Sequence, residues 1–143
     1  MKYSQATNYA LHTMLYFVAL PSGTTLGVQQ LAAWQSLSPT YLSKILTKLV
    51  KAGLIASAPG MNGGYRLLKE RDALSFLDVI HAIEGTASLF HCGTGAQHTA
   101  CRVQQVMSAA EHELEAYLKD QKLAAHATEV ASWLVQRGFT PEA

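Results

Sequence analysis

The sequence has 143 residues, of which 49% are hydrophobic and 15% are charged. This length suits one compact domain with a short arm, and the composition excludes disordered and collagen-like chains. No run approaches the roughly 18 apolar residues of a membrane span, and the apolar stretch 14–20 has no cleavage site behind it. We therefore expect a cytoplasmic protein without a membrane partner. Two cysteines are too few for a secreted disulfide scaffold.

The net charge of +1 hides a strong asymmetry between the two halves of the chain. Residues 1–71 hold seven Lys and Arg against one acid, a net charge of +6. Residues 72–143 hold four Lys and Arg against nine acids, a net charge of −5. A basic half can contact nucleic-acid phosphates and release their counterions, whereas an acidic half must face elsewhere.

Three helices are predicted in the basic half. The first spans about 3–20, where apolar residues recur at helical spacing until Pro21. The second spans about 26–35. The third begins at Ser38 and Pro39, because serine caps free amides and proline loses no hydrogen bond at the first helical position. Gly53 ends it.

The third helix has two contrasting faces. Leu42, Ile45 and Leu49 mark an apolar face that predicts burial. The opposite face carries no acid and consists of Thr40, Ser43, Lys44, Thr47, Lys48 and Lys51. Two short helices joined by a tight turn, the second with such a face, are typical of a helix-turn-helix whose recognition helix enters the major groove.

A strand, a turn and a strand follow, at 54–57, 59–64 and 65–68. The pair Asn62-Gly63 within the turn is a strong hairpin signal. A hairpin directly after a recognition helix is a wing. Its glycine-rich tip would let the backbone approach a phosphate or the minor groove, with Arg66 close by.

The acidic half predicts a helix at 75–84, a loop at 86–100, a long helix at 101–119 and a short last helix at 129–137. Ser75 and Asp78 stand at the spacing of a capping box. The long helix carries an apolar stripe of about five turns, formed by Val103, Val106, Met107, Ala110, Leu114, Tyr117 and Leu118. So long a stripe needs a partner, and pairing with a second copy of the chain is the simplest one.

The sequence resembles the Rrf2 family of bacterial transcription factors. The matching segments include Tyr9-Ala10-Leu11, the run from Ser38 to Lys44, Ala52-Gly53-Leu54, Gly63-Gly64-Tyr65-Arg66-Leu67, and the run from Asp78 to Gly85. They cover roughly residues 2–85 in the expected order. The resemblance implies a dimer paired through the long helix, with a cysteine-bearing sensor loop before that helix.

The resemblance also implies roles for individual residues. Thr40, Ser43 and Lys44 would reach DNA bases, while Ser38, Tyr41 and Lys48 would contact the phosphate backbone. The predicted DNA-binding set is completed by Lys2, Asn62, Gly63, Gly64, Tyr65 and Arg66. Relatives often carry an arginine just before the wing glycines, but this chain has Pro59 there, so the wing is expected to position the protein rather than read the minor groove.

The loop before the long helix leaves three alternatives open. Cys92, His98 and Cys101 suit zinc, iron or an iron-sulfur cluster, although relatives with a cluster use three cysteines. The two cysteines could instead form a thiol switch, favoured in the thiolate form by a nearby histidine or helix start. They could also have no role in sensing. The cofactor is therefore none, a metal or an iron-sulfur cluster.

Together these patterns predict a mainly α, winged helix-turn-helix protein with a small β-hairpin wing and a long C-terminal dimerisation helix. Residues 1–85 would bind DNA, 86–100 would sense, and 101–143 would hold the dimerisation helix and a last helix. We expect a homodimeric regulator, most simply a repressor, that binds a roughly palindromic operator and responds to redox, metal or iron-sulfur status. The alternatives are a winged helix for protein contact alone and a thiol or metal enzyme.

Overall fold

The computed structural model describes residues 2–61, 63–93 and 101–139. Helices α1 (Gln5–Ala19), α2 (Val28–Gln35) and α3 (Pro39–Lys51) come first, followed by strands β1 (Ile55–Ala58) and β2 (Gly64–Leu67). Helices α4 (Phe76–Glu84), α5 (Arg102–Asp120) and α6 (Thr128–Gln136) complete the chain, with a short 3-10 helix at Leu123–His126. The predicted fold class, a mainly α winged helix-turn-helix, is confirmed.

Helix α1 lies at the centre of the molecule. It contacts α3, α4, α6 and the 3-10 helix, and Ala10, Met14 and Val18 along it are completely buried. Leu31 from α2 and Leu42, Leu46 and Leu49 from α3 fill the same core. Because α1 is apolar on more than one side, it is covered by several other helices of the same subunit.

The ends of the helices follow their local sequence. Ser38 caps α3, with its hydroxyl accepting a hydrogen bond from the Tyr41 amide, and Pro39 is the first helical residue. Ser75 and Asp78 form the predicted capping box at the start of α4, with distances of 3.1 and 2.9 Å. Ser36 ends α2 in the left-handed conformation, a position that favours glycine or asparagine.

Leu26 differs from its predicted place at the start of α2. It lies in extended backbone and exchanges two hydrogen bonds of 2.8 Å with Tyr65, so that a third segment pairs with the hairpin. Gly27 is the N-cap of α2, which explains why the helix begins two residues later than its apolar pattern suggested. The hairpin thereby becomes fixed to the helical core.

The aromatic residues Trp34, Trp133 and Phe139 pack against one another and the helical core. Trp34 stands edge-on to both Trp133 and Phe139, with ring centroids 5.7 and 5.1 Å apart. Tyr16 of α1 contacts Trp34 and Trp133. This cluster fixes α6 against α1 and α2. None of the described helices combines the length and hydropathy needed to cross a bilayer.

Candidate nucleic-acid interface and thiol loop

The polar face of α3 is open to solvent. Its buried side consists of Leu42, Ile45, Leu46 and Leu49. On the other side Thr40, Lys44 and Lys48 are exposed, and Ser43 is half-buried. Thr40, Lys44 and Lys48, which are predicted to contact DNA, are therefore neither inside the subunit nor covered by another part of the described chain.

Two of the predicted contact residues also hold the local structure. Tyr41 is 38% exposed, and its ring stands edge-on to Tyr9 of α1 at a centroid distance of 6.0 Å. Ser38 is occupied by the cap of α3. Thr47, on the same face, donates its hydroxyl hydrogen to the Ser43 carbonyl at 2.9 Å, as serines and threonines within helices often do.

Glu84, at the end of α4, binds the start of α1. Its Oε2 atom accepts hydrogen bonds from the Thr7 hydroxyl at 2.6 Å, the Ser4 amide at 2.8 Å and the Ser4 hydroxyl at 3.0 Å. These hydrogen bonds hold the pKa of Glu84 below its ordinary value. The bond from the Thr7 hydroxyl has the largest effect, the bond from the Ser4 amide follows, and the positive charge of Lys48 makes a smaller contribution. This carboxylate thus links α4 to α1 near Lys48 of α3.

The wing is an antiparallel hairpin in which Ile55 pairs with Leu67 and Ala58 with Gly64. The residues 59–63 therefore separate the strands, close to the turn at 59–64 that the sequence predicted. Gly64 has a φ of +146°, and a Cβ there would lie 2.6 Å from the Leu26 carbonyl oxygen. A side chain at this position would separate the wing from the Leu26 segment.

The remaining predicted wing residues differ in accessibility. Arg66 is exposed on β2, whereas Tyr65 is half-buried, packs against the core and pairs its backbone with Leu26. Tyr65 thus supports the wing rather than lying at its surface. Lys2 precedes α1 and lines a cavity beside Glu84. Asn62 lies outside the described residues.

The two cysteine side chains meet at the start of α5. Both cysteine side chains are half-buried, and their sulfur atoms are 3.1 Å apart. Cys101 is the N-cap of α5, and its Sγ accepts a hydrogen bond from the Gln104 amide at 3.4 Å. The structure therefore brings together two cysteines that are nine residues apart in sequence.

Gln104 anchors the loop that carries Cys92. Its side-chain oxygen accepts a hydrogen bond from the Cys92 amide at 2.8 Å, and its side-chain nitrogen donates to the Phe90 carbonyl and to Ser108 Oγ. This role of Gln104 is not visible in the sequence, because a glutamine on a polar helix face carries no pattern that reveals a contact with a loop.

The thiol pair alone does not complete a metal site. Within the described residues no group of three or more His, Cys, Asp or Glu side chains could hold a metal ion. Structural zinc takes four ligands and iron-sulfur clusters take several thiolates, whereas Cys92 and Cys101 supply two. His98 lies outside the described residues. The two described donors, Cys92 and Cys101, are suited to thiol chemistry.

The stripe predicted on α5 is divided in two. Val103, Val106 and Tyr117 are 59%, 60% and 64% exposed, and Ala110 is exposed with them. Met107, Leu114 and Leu118 are half-buried. Since no α5 side chain is fully buried, the described part of the chain leaves this helix with an uncovered apolar face.

The four histidines outside the loop lie at the surface or join helices. His12, His112 and His126 are exposed. His81 is half-buried, and its Nε2 lies 3.2 Å from Glu115 Oε2, which joins α4 to α5. The pairing across these helices was not foreseen, since 34 residues separate the partners.

The chain matches the model of the Rrf2 family, described as "Iron-dependent Transcriptional regulator", over residues 3–129. It is 41% identical over 90 residues to YffB of Lactococcus lactis subsp. lactis, whose name places it among HTH-type transcriptional regulators. That match covers 63% of this chain and spans 58% of the length of YffB.

Three solved structures show the same fold at 25% sequence identity. The oxidized form of Staphylococcus aureus CymR has a TM-score of 0.70, covering 89% of this chain and 96% of that one. CymR (YrzC), the global cysteine regulator of B. subtilis, has a TM-score of 0.69, covering 93% and 98%. IscR of T. potens has a TM-score of 0.67, covering 91% and 88%. With the family matched over nearly the whole chain, this protein belongs to the Rrf2 family of transcriptional regulators.

Proposed function

We propose that this protein is a dimeric, sequence-specific DNA-binding regulator, most simply a repressor, with a roughly palindromic operator. The observation that carries the proposal is the solvent-exposed face of α3, where Thr40, Lys44 and Lys48 stand free of acidic neighbours on the helix, followed directly by the wing. In this scheme residues 1–85 bind DNA, 86–100 sense, and 101–143 pair the subunits and hold the last helix.

Salt-dependent DNA binding tests this proposal. Lys44→Ala and Lys48→Ala should each weaken binding to operator and random duplex alike, and should flatten the slope of log affinity against log salt by about one unit. Lys119→Ala removes the same charge from an exposed position on α5 and should leave the slope unchanged. Equal effects of all three variants, or no binding of duplex DNA at low salt, would refute a DNA-binding α3.

Sequence preference is expected to depend on different residues. Thr40→Ala and Ser43→Ala should relax the preferred operator, as selected from a random duplex pool, at a cost of about 1–3 kcal/mol for each lost base contact. Neither variant should change the salt slope, because no phosphate charge is involved. A changed slope with an unchanged preferred sequence would assign these residues to the backbone instead.

We further propose that Cys92 and Cys101 form a thiol switch. The contact between their sulfur atoms at 3.1 Å supports this choice, because a disulfide needs a movement of only about 1 Å. The solved relative CymR was crystallised in an oxidized form, and its B. subtilis counterpart is named a global cysteine regulator. The switch would tie the loop to the first turn of α5.

The oxidant that we propose is a hydroperoxide. One thiolate attacks the peroxide oxygen, forming a sulfenic acid and releasing water or an alcohol. The second thiol attacks this sulfenic sulfur, so that the disulfide forms and a second water leaves. The two cysteines lose two electrons in total, and the peroxide gains them.

Thiol counting and DNA binding together test the switch. After peroxide treatment neither cysteine of the wild type should react with a thiol reagent, and the mass of the protein should fall by that of two hydrogen atoms. Its operator affinity should change by at least about tenfold. In the presence of oxidant, Cys101→Ser and Cys92→Ser should keep the operator affinity of the reduced wild type. Operator affinity that is equal in reduced and oxidised wild type would remove the sensing function while leaving DNA binding intact.

Two other functions receive less support. A winged helix used for protein contact alone predicts no binding to random duplex at low salt, so the titration above separates it. A thiol or metal enzyme built on Cys92 and Cys101 is disfavoured by the family assignment, which is to regulators.

A further inference from the structure

A cavity of about 270 Å³ lies where α4 meets α5, next to the N-terminal segment and the loop that follows Gly85. Its walls are mainly apolar, with Leu77 and Ile80 on α4 and Leu114 on α5. This volume is slightly below the usual range for ligand sites in proteins, which begins at about 300 Å³, so it suits a small ligand. Apolar walls with a few polar groups are the usual composition of such sites.

Carboxylates outnumber lysines around this cavity. Glu84, Glu111 and Glu115 line it, together with Lys2, Tyr3 and His81. A carboxylate-rich rim attracts a cation and repels an anion, and apolar walls give an uncharged body a place to lie.

Two of these carboxylates hold the cavity together and keep an oxygen available. Glu111 Oε1 accepts a hydrogen bond from the Leu89 amide at 2.9 Å, and Glu115 Oε2 lies 3.2 Å from His81 Nε2. Each of these contacts uses one of the two carboxylate oxygens. A carboxylate has about four acceptor positions, so an ammonium group can bind without breaking either contact.

We propose that this cavity binds a small organic cation, namely a primary amine on a short apolar body. The ammonium group would lie between Glu111 and Glu115, and the apolar body would contact Leu77, Ile80 and Leu114. The site is separate from the thiol pair, since neither cysteine lines the cavity.

Regulation by such a ligand rests on the proposed function. The cavity spans the junction between α4, whose Glu84 binds the start of α1, and α5, which carries the exposed apolar face. A ligand that draws Glu111 and Glu115 inward would change the angle between these helices. It would shift operator affinity only by the ratio of its affinities for the two arrangements.

Calorimetric titration of the full-length protein with 2-phenylethylamine tests the binding site. The amine should bind with a Kd below about 1 mM, 2-phenylethanol at least about tenfold more weakly, and phenylacetate not measurably. Glu111→Gln and Glu115→Gln should each weaken amine binding at least about fivefold. Glu113→Gln, on the same helix but outside the cavity, is the matched control and should bind like the wild type.

Leu114→Trp provides a test by steric filling. It should abolish amine binding while leaving the helical circular dichroism and the thermal midpoint close to those of the wild type. No heat with the amine at several millimolar, binding of phenylacetate as tight as the amine, or equal losses in Glu113→Gln and Glu115→Gln would overturn the proposal.

The outcome is independent of the DNA-binding proposal. Amine binding without duplex binding would refute the regulator function and keep the cavity as a ligand site. Duplex binding without amine binding would refute the ligand site and leave the regulator function intact.

Discussion

At the scale of single residues, Glu84 connects parts of the molecule that are 80 residues apart. One carboxylate oxygen satisfies the Ser4 amide and two hydroxyl groups at the start of α1. Ser4 caps the start of α1 only in part, because its Oγ accepts a hydrogen bond from one backbone amide, that of Thr7, at 3.3 Å. Glu84 adds an acceptor for the amide of Ser4 itself. The position of α1 depends on a residue at the end of α4.

We expect Glu84→Gln to lower the free energy of unfolding by about 1 kcal/mol at pH 7, because the amide keeps an acceptor but loses the charge. The hydrogen bonds from Thr7 and Ser4 lower the pKa of Glu84 below 4.5 in the folded protein. A lowered pKa stabilises the fold above the ordinary value, and this contribution is lost as the pH falls through the lowered value. The difference between wild type and variant should therefore shrink below about pH 4.5.

Urea unfolding at several pH values between about 7 and 3 measures this difference. Glu70→Gln, at an exposed position in the segment after β2, is the control and should follow the wild type at each pH. A difference that stays constant across the range would show that the charge of Glu84 makes no contribution.

At the scale of elements, α6 is held by aromatic contacts rather than by a long apolar stripe. Trp133 contacts Tyr16 and Trp34, and the Arg137 guanidinium carbon lies 3.7 Å from the centre of its ring. Burial raises the pKa of Tyr16, with Arg137 partly opposing this effect. A short helix of nine residues gains its stability from such packing more than from its own propensity.

Trp133→Ala should therefore destabilise the protein by about 2–3 kcal/mol, below the range for fully buried tryptophans because this side chain is half-exposed. Val135→Ala, at a position 55% exposed on the same helix, should cost less than about 0.5 kcal/mol. Chemical unfolding followed by circular dichroism compares the two. Similar costs for both variants would show that the aromatic cluster does not hold α6.

Elements with a strong local pattern could be predicted from the sequence. The third helix was predicted from Ser38 and Pro39 and is observed at Pro39–Lys51, and the capping box at Ser75 was predicted with aspartate in its usual glutamate position. Leu26 was placed in α2 because its apolar character fits a helix face as well as a strand. The pairing with Tyr65 depends on a residue 39 positions later, which no local pattern reveals.

The candidate sites divide in the same way. The exposed face of α3 follows from helical periodicity alone, and so could be predicted residue by residue. The contact between Cys92 and Cys101 needs the loop geometry set by Gln104, and the cavity needs the distance between α4 and α5. Both depend on tertiary packing. The sequence shows which residue types are present, but it does not show which of them come together in space.

At the scale of the whole molecule, α5 presents an apolar surface that the described part of one subunit does not cover. Val106 is 60% exposed, and Val103 and Tyr117 lie on the same side of the helix. Exposed valines and a tyrosine aligned over four turns are typical of a subunit interface rather than of a solvated surface. The twofold pairing predicted from the stripe would bury them.

Val106→Glu should therefore weaken dimerisation by at least about a hundredfold, because a twofold interface places the unpaired carboxylate in both copies. Sedimentation velocity over a concentration series measures the change. His112→Glu adds the same charge at an exposed position about 120° around the helix from Val106 and should leave the dimer intact.

The two variants also separate dimerisation from DNA contact. A monomer binds one half-site, so Val106→Glu should lose the tight binding to a full operator while keeping weak, salt-sensitive binding through α3. His112→Glu should retain both. If Val106→Glu remained a dimer with unchanged operator affinity, the exposed face of α5 would not be the subunit interface, and another surface would have to set the spacing between the two recognition helices.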